Sequence, residues 1–287
     1  MSTVRPATAS AEMPAVPLTI EGYCVLHQMM KVRWPAWRER TESERSSYTE
    51  EATALLARME QNSPGQSALY SVLGDKGDLL LVHFRESLDE LKQAELDLAG
   101  LKLSEYLEPS GSYLSIIELG LYDSTLKIYR SLLDRGLEPH SAEWNREISE
   151  TLARQKEAMR PRLFPAMPPN RYICFYPMDR RRGEEKNWYT LPIEERQRQM
   201  SEHGLVGRRY AGEVKQIISG SIGFDDWEWG VTLFADDPVV FKKLIYEMRF
   251  DEVSAVYALF GKFYVGVRCP ATKIGKLLNG ELPKLEK

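Results

Sequence analysis

The chain has 287 residues, 43% of them hydrophobic and 28% charged, which suits a soluble globular protein of two ordinary domains or one large one. With 38 basic and 42 acidic residues the net charge is −4, so there is no general reason to expect nucleic acid. Apolar runs are strand-sized and predict no membrane span, and Cys24, Cys174 and Cys269 form no pair motif, which points to a reducing, cytoplasmic compartment.

The opening "MSTVRPATASAEMPAVP" is rich in Ala, Pro, Ser and Thr and lacks the charged start and apolar core of a secretory signal, so residues 1–17 are expected to be a disordered tail. A strand follows over 18–34, then a helix over roughly 44–60 with Tyr48, Ala52, Leu55, Leu56 and Met59 on one face. Two strands flank the turn signal Asp75–Asp78, a helix begins at Ser87, and "SYLSIIELGLY" closes the set as a strand. Residues 18–122 thus read β-α-β-β-α-β.

Residues 123–169 read as two helices broken at "RGLEPHS", then a Pro-rich connector. From 170 to 287 the first order returns. "NRYICFYPM" is a strand and "LPIEERQRQMSEHG" a helix ending at His203–Gly204. "VKQIISGSIGFDDWEWGVTLF" is two strands, with Trp227 and Trp229 as core residues beside the hairpin. "DPVVFKKLIYEMRF" is a helix capped by Asp237, and "GKFYVGVRC" the last strand. Tyr23 matches Tyr172 and Val82 matches Val231 at the same offset of 149 positions. The expected fold class is therefore α+β, an internal duplication of two ferredoxin-like halves that cover each other's sheets.

Four histidines occur, and no two are spaced as metal ligands on one element, which argues against a structural zinc site. His203 shares a helix face with Arg196 and Met200. It suits either a solvated helix end or a single protein ligand to a haem iron, whose other four donors come from the porphyrin. "YPMDRRRGEEKNWY" places Tyr176 at a strand end before three arginines, either a solvated basic loop or a phenol beside cations that would hold an anionic substrate. Arg162, Arg208, Arg209 and Arg249 stand near other element ends and would together suit a ligand with several carboxylates. No Gly-rich phosphate loop or Ser/His/Asp pattern is present.

The stretch from "YPMDRRRGEEKNWY" through "EERQRQMSEHG" and "VKQIISGSIGFDDWEWGVTLF" to "YEMRFDEVSA" resembles the coproheme decarboxylases, the haem-synthesis branch of the chlorite dismutase family, of the Firmicutes-like type. The resemblance is strong over 170–268 and holds in element order over 18–169. It implies a dimeric α+β barrel, a homopentamer, and a last step of haem biosynthesis. In that step hydrogen peroxide drives decarboxylation of iron coproporphyrin III (coproheme) to haem b through a three-propionate intermediate, with loss of two carbon dioxide molecules. By the same resemblance His203 is the axial ligand of the iron and Tyr176 the tyrosine that becomes a radical. Gln216 stands above the iron, and Arg162, Met178 (through its backbone N–H), Arg249 and Ser254 hold propionates. Many relatives carry a lysine where this chain has Arg180, which keeps the charge but exchanges a compact ammonium for a planar fork. A transient contact with ferrochelatase is also implied. The competing expectations are a chlorite dismutase, which relies on a distal arginine rather than Gln216, and a haem carrier or sensor, which needs His203 but not Tyr176.

Overall fold

The computed structural model describes residues 14–62 and 64–284. Strand β1 (Thr19–Val32) leads through the short α1 (Trp34–Arg38) into α2 (Glu42–Gln61). The hairpin β2 (Ser67–Val72) and β3 (Leu79–Arg85), helix α3 (Leu88–Ala99) and strand β4 (Leu107–Gly120) follow. Helices α4 (Tyr122–Asp134), α5 (Ala142–Ala158) and α6 (Arg160–Leu163) come next. Then come β5 (Tyr172–Arg180), α7 (Ile193–Arg209), β6 (Lys215–Gly220), β7 (Trp229–Ala235) and α8 (Val239–Met248). The last described elements are α9 (Glu252–Tyr257), β8 (Ala258–Phe260), β9 (Tyr264–Arg268) and α10 (Ile274–Leu278). The expected β-α-β-β-α-β order is present twice, with α9 and β8 inserted before the final strand. Among the described residues no helix is long and apolar enough to cross a membrane.

The first four main strands lie in the order β4-β1-β3-β2, and β6-β7-β5-β9 repeats that arrangement, all antiparallel. The two sets meet edge to edge, β4 with β6 and β2 with β9, so the eight strands close into a ring. Closure satisfies backbone groups that two open sheets would leave at their edges. Alternate side chains fill the interior: Val25 and Met29 from β1, Phe84 from β3, Ile173 and Phe175 from β5, Phe234 from β7. Strand β4 begins at Leu107 rather than Ser112, and the register slips where Pro109 meets Met30, which a bulge accommodates.

The offset of 149 is not the structural register. Tyr23 and Val82 point into the ring, whereas Tyr172 and Val231 pack on the outer face. A one-residue displacement along a strand exchanges faces, so two apolar identities matched while their environments did not.

Helices cover the outer faces. Thr41 and Glu44 form a capping box at the start of α2, whose Ala52, Leu55, Leu56 and Met59 pack with Leu79 and Leu81 of β3. Each buried Leu or Met there contributes about 2 kcal/mol. One-turn α6 lies directly on β1, so closely that a Cβ at Gly22 would collide with the Leu163 carbonyl. The tail expected over 1–17 lies, for residues 1–13, outside the described residues. Of the rest, the Val16 carbonyl accepts from the Tyr129 hydroxyl at 3.1 Å and the Ala15 carbonyl from the Arg196 guanidinium, so this end is pinned to α4 and α7.

Candidate active site

Alternation along β5 sends Cys174, Tyr176 and Met178 outward, toward α7, α8 and α9, while Phe175 enters the ring. Gln216 and Ile218 of β6 and Val231 of β7 face the same way, and a slot open to solvent lies between these strands and the helices. The sequence of α7 explains the gap. Where α2 presents apolar side chains inward, α7 presents Arg196, Gln199, Met200 and His203, followed by Gly204 and Gly207. A Cβ added at Gly204 meets nothing within 4 Å, and one at Gly207 would press on the Met248 methyl at 3.3 Å and the Gln216 amide at 3.5 Å.

The helix does not end at His203, as its sequence suggested. It continues to Arg209, with Glu194 and Glu195 in its first turn and Arg208 and Arg209 in its last, each complementing the macrodipole. His203 is thus mid-helix with its ring turned to the slot. Its Nδ1 lies 2.8 Å from Asp251 Oδ2 and 3.4 Å from Ser254 Oγ. The other Asp251 oxygen accepts the Ser254 N–H at 2.8 Å and caps α9. Burial raises the Asp251 pKa, but the hydrogen bond and charge of His203 and the bonds from Ser254 outweigh it and hold the carboxyl below its ordinary value. An ionised Asp251 fixes a proton on Nδ1, so Nε2 is the ring nitrogen left for the slot.

Tyr176 is 4% exposed, with its ring stacked on Phe263 at 4.5 Å and tilted against Phe260 at 5.7 Å. Burial and Cys174 push its pKa well up, and Arg249 and Arg180 pull against that rise, so the phenol stays protonated at neutral pH. Arg249 lies over the Phe260 ring at 3.8 Å. Arg180 is buried over Trp188 at 5.1 Å. Met178 pairs with Trp229 on one side and Phe260 on the other.

The fold brings Tyr176, Met178, Arg180, His203, Gln216 and Ser254 onto one slot, and Arg249 borders it through Phe260. It does not bring Arg162 there: that side chain is exposed on α6, whose position is set by its packing on β1. Nor do Arg208 and Arg209 converge on the slot; Arg208 is exposed and Arg209 pairs with Glu247 at 2.5 Å. Trp227 and Trp229 are half-buried rather than core, Trp227 lying against the edge of the ring cluster. Asp251 escaped the sequence reading, although Asp-x-x-Ser before an apolar turn is a helix-start signal that marks it.

The donor set fits a haem-type group. Among the described residues no three His, Cys, Asp or Glu side chains gather as a metal site, whereas one histidine with a carboxylate on its second nitrogen suits an iron whose other donors come from a macrocycle. Ile218, Val231, Ile245 and Met248 supply apolar walls, and Arg180 in the wall and Arg249 over Phe260 provide cations for carboxylates.

Known proteins are similar over most of the chain. The family model described as chlorite dismutase matches residues 45–269. The chain belongs to the chlorite dismutase family. It is 44% identical over 257 residues to the coproheme decarboxylase of Staphylococcus saprophyticus, covering 88% of this chain and 94% of that protein. A haem-binding protein from Thermus thermophilus superposes with a TM-score of 0.79 at 39% identity, over 93% of this chain and 98% of that one. A point variant of chlorite dismutase from Candidatus Nitrospira defluvii gives a TM-score of 0.67 at 17% identity, over 90% and 95% of the two chains, a likeness of fold alone.

Proposed function

We propose that the protein is a coproheme decarboxylase, an oxidoreductase that converts iron coproporphyrin III to haem b in the last step of haem biosynthesis. The observation that carries this reading is the arrangement of one slot. It holds an iron-competent His203 backed by Asp251, a distal amide at Gln216, and a buried neutral phenol at Tyr176 flanked by two arginines. The similarity to the Staphylococcus saprophyticus enzyme supports the same assignment.

The iron porphyrin, when bound, supplies the redox chemistry that spends one hydrogen peroxide per propionate. Each turnover consumes a propionate carboxylate, one peroxide and one proton, and yields a vinyl group, carbon dioxide and two waters. His203 Nε2 would hold the iron, with the Asp251 carboxylate on Nδ1 fixing the ring orientation. The phenol of Tyr176 gives up its proton and one electron, then takes a hydrogen atom from the β-carbon of a propionate held against it. Loss of carbon dioxide and a second electron leaves the vinyl carbon pair. Arg180, Arg249 and Ser254 position propionates, with Met178 acting through its N–H, while Arg162, exposed on α6, stands outside the slot. A three-propionate intermediate must turn in the slot before the second cycle.

The shared strand order supports an internal duplication, with halves at 18–122 and 170–287, a helical connector at 123–169, and a dimeric α+β barrel as the result. Assembly as a homopentamer, a cytoplasmic site of action and contact with ferrochelatase belong to the same proposal and rest on the family resemblance.

Two results test the site. His203→Ala should weaken coproheme binding about tenfold or more and abolish the iron–histidine stretch in resonance Raman spectra; an unchanged stretch would reassign the ligand. Gln216 offers no fixed positive charge to a developing anion, so the haem-loaded protein should release negligible oxygen from chlorite at an oxygen electrode. Sustained oxygen release would instead make it a chlorite dismutase.

A further inference from the structure

Among the described residues, those lining the slot all belong to the second half of the chain, from Tyr176 to Phe260. One side chain of the first half nevertheless bears on them. Lys76, in the turn between β2 and β3, donates its ammonium to the backbone carbonyl of Phe263 at 2.7 Å, a charge-assisted bond. Phe263 is the ring stacked on Tyr176 at 4.5 Å, with the two planes 26° apart.

Both turns are tied down. Asp78 accepts the Val32 N–H at 2.8 Å and the Trp34 indole at 3.1 Å, and its own N–H donates to the Met30 carbonyl at 2.8 Å. The turn that carries Lys76 is thereby fixed to β1 and α1. The Leu73 N–H donates to the Val265 carbonyl at 2.8 Å, which sets this turn beside β9. Gly261, Lys262 and Phe263 join β8 to β9. The Gly261 end of that link is held by the Pro177 carbonyl at 2.8 Å, where a Cβ would collide with the proline ring. The Phe263 end is held by Lys76. The Lys76 charge also opposes the rise that burial gives the Cys174 thiol, two residues before Tyr176 on the same face of β5.

Phe263 covers one face of the Tyr176 ring and Phe260 stands against it at 46°. Hydrogen transfer depends steeply on geometry, and a misplacement of about 1 Å can cost on the order of a hundredfold in rate. Whatever fixes Phe263 therefore fixes the aim of the phenol.

We propose that Lys76 is a positioning residue for the chemistry of Tyr176: it clamps the link between β8 and β9 so that Phe263 holds the phenol ring at its working angle and keeps water from it. The inference rests on the slot being the decarboxylase site. Lys76 does not line the slot and acts through Phe263. It is exposed, so its replacement leaves the core intact.

The test takes the full chain, Lys76→Met, Lys76→Arg, Phe263→Leu and the double variant, with thermal midpoints of the porphyrin-free proteins to check folding. Lys76→Met should keep the dissociation constant of ferric coproporphyrin III within about twofold, while single-turnover vinyl formation with peroxide slows about tenfold or more. Lys76→Arg should recover most of the rate. The double variant should be no slower than Phe263→Leu alone, because one residue acts through the other. Electron paramagnetic resonance of the freeze-trapped tyrosyl radical should show changed β-methylene couplings in Lys76→Met, the signature of a turned ring. An unchanged rate, additive losses in the double variant, or rate and coproheme affinity falling together overturns the proposal. Nitration of Tyr176 by tetranitromethane in the porphyrin-free protein, mapped by mass spectrometry, needs no turnover. It should rise about fivefold in Lys76→Met and stay low in Lys76→Arg, and equal nitration in all three proteins overturns the clamp. If the decarboxylase reading itself is wrong, peroxide gives the unmodified protein no product while the dependence of nitration on Lys76 stands.

Discussion

Tyr176→Phe is expected to abolish decarboxylation while leaving coproheme bound. The change removes one oxygen from a ring held between Phe260 and Phe263, so packing survives and the fold with it. Coproheme affinity should fall by no more than about fivefold, the value of one hydrogen bond. Turnover should fall on the order of a thousandfold or more, as when a reacting group is removed, because a phenyl ring has no O–H to lose as a proton and an electron. Mass spectrometry of the porphyrin after peroxide addition reads the outcome. Tyr172, Tyr189 and Tyr210 are the nearest substitutes in sequence, but Tyr189 lies in the 3₁₀ turn after β5 and Tyr210 donates to Glu247 at 2.7 Å. Haem b formed at the normal rate by the variant would remove Tyr176 from the mechanism.

The second large effect is loss of stability in acid. His27 is fully buried inside the ring, stacked on Phe175 at 3.9 Å and bonded to Thr232 at 3.0 Å. His83 is fully buried on the outer face, between Ser67 Oγ at 2.8 Å and Gln28 Oε1 at 3.1 Å. Burial lowers both from 6.5 to about 3, and the charge of Arg85 adds to the effect on His83. The unfolded chain therefore takes up protons below pH 6.5 that the folded chain refuses until about pH 3. The stabilisation is complete above the unfolded value and drains away as pH falls through that window. At roughly 1.4 kcal/mol per pH unit for each group, about 4 kcal/mol is lost by pH 5. Urea unfolding between pH 7.5 and 5 checks this, and His83→Gln should remove about half of the slope. A pH-independent midpoint in that range would show that these imidazoles are not held neutral.

Much of the fold was legible because it is written locally. The Asp75–Asp78 turn, the apolar face of α2 through Ala52, Leu55, Leu56 and Met59, and the strand around Tyr172–Met178 each depend on neighbours a few residues away. Ring closure was expected only through the resemblance to a known family, because the pairing of β2 with β9 joins edges about two hundred residues apart and leaves no pattern in either strand. The duplication offset failed for a related reason: identity at two positions carries no information about which face a side chain takes. His203–Gly204 looked like a helix end because glycine usually stops helices, yet α7 runs through it to Arg209. At the site, Tyr176, His203 and Gln216 were found through the resemblance to a known family. Asp251 lies 48 positions beyond His203, and only the docking of α9 against α7 brings the two together. Arg196 was visible on the His203 face, but its burial emerges only once α4 and Ala15 are packed over α7.

The most direct measurement is a peroxide titration of the complex between the purified protein and iron coproporphyrin III, with the porphyrin identified by mass spectrometry after each addition. A decarboxylase built on His203 and Tyr176 should pass through the three-propionate species near one equivalent of peroxide and reach haem b near two, with one carbon dioxide released at each step. Coproheme that keeps all four carboxylates, whether intact or bleached by the oxidant, would contradict the account.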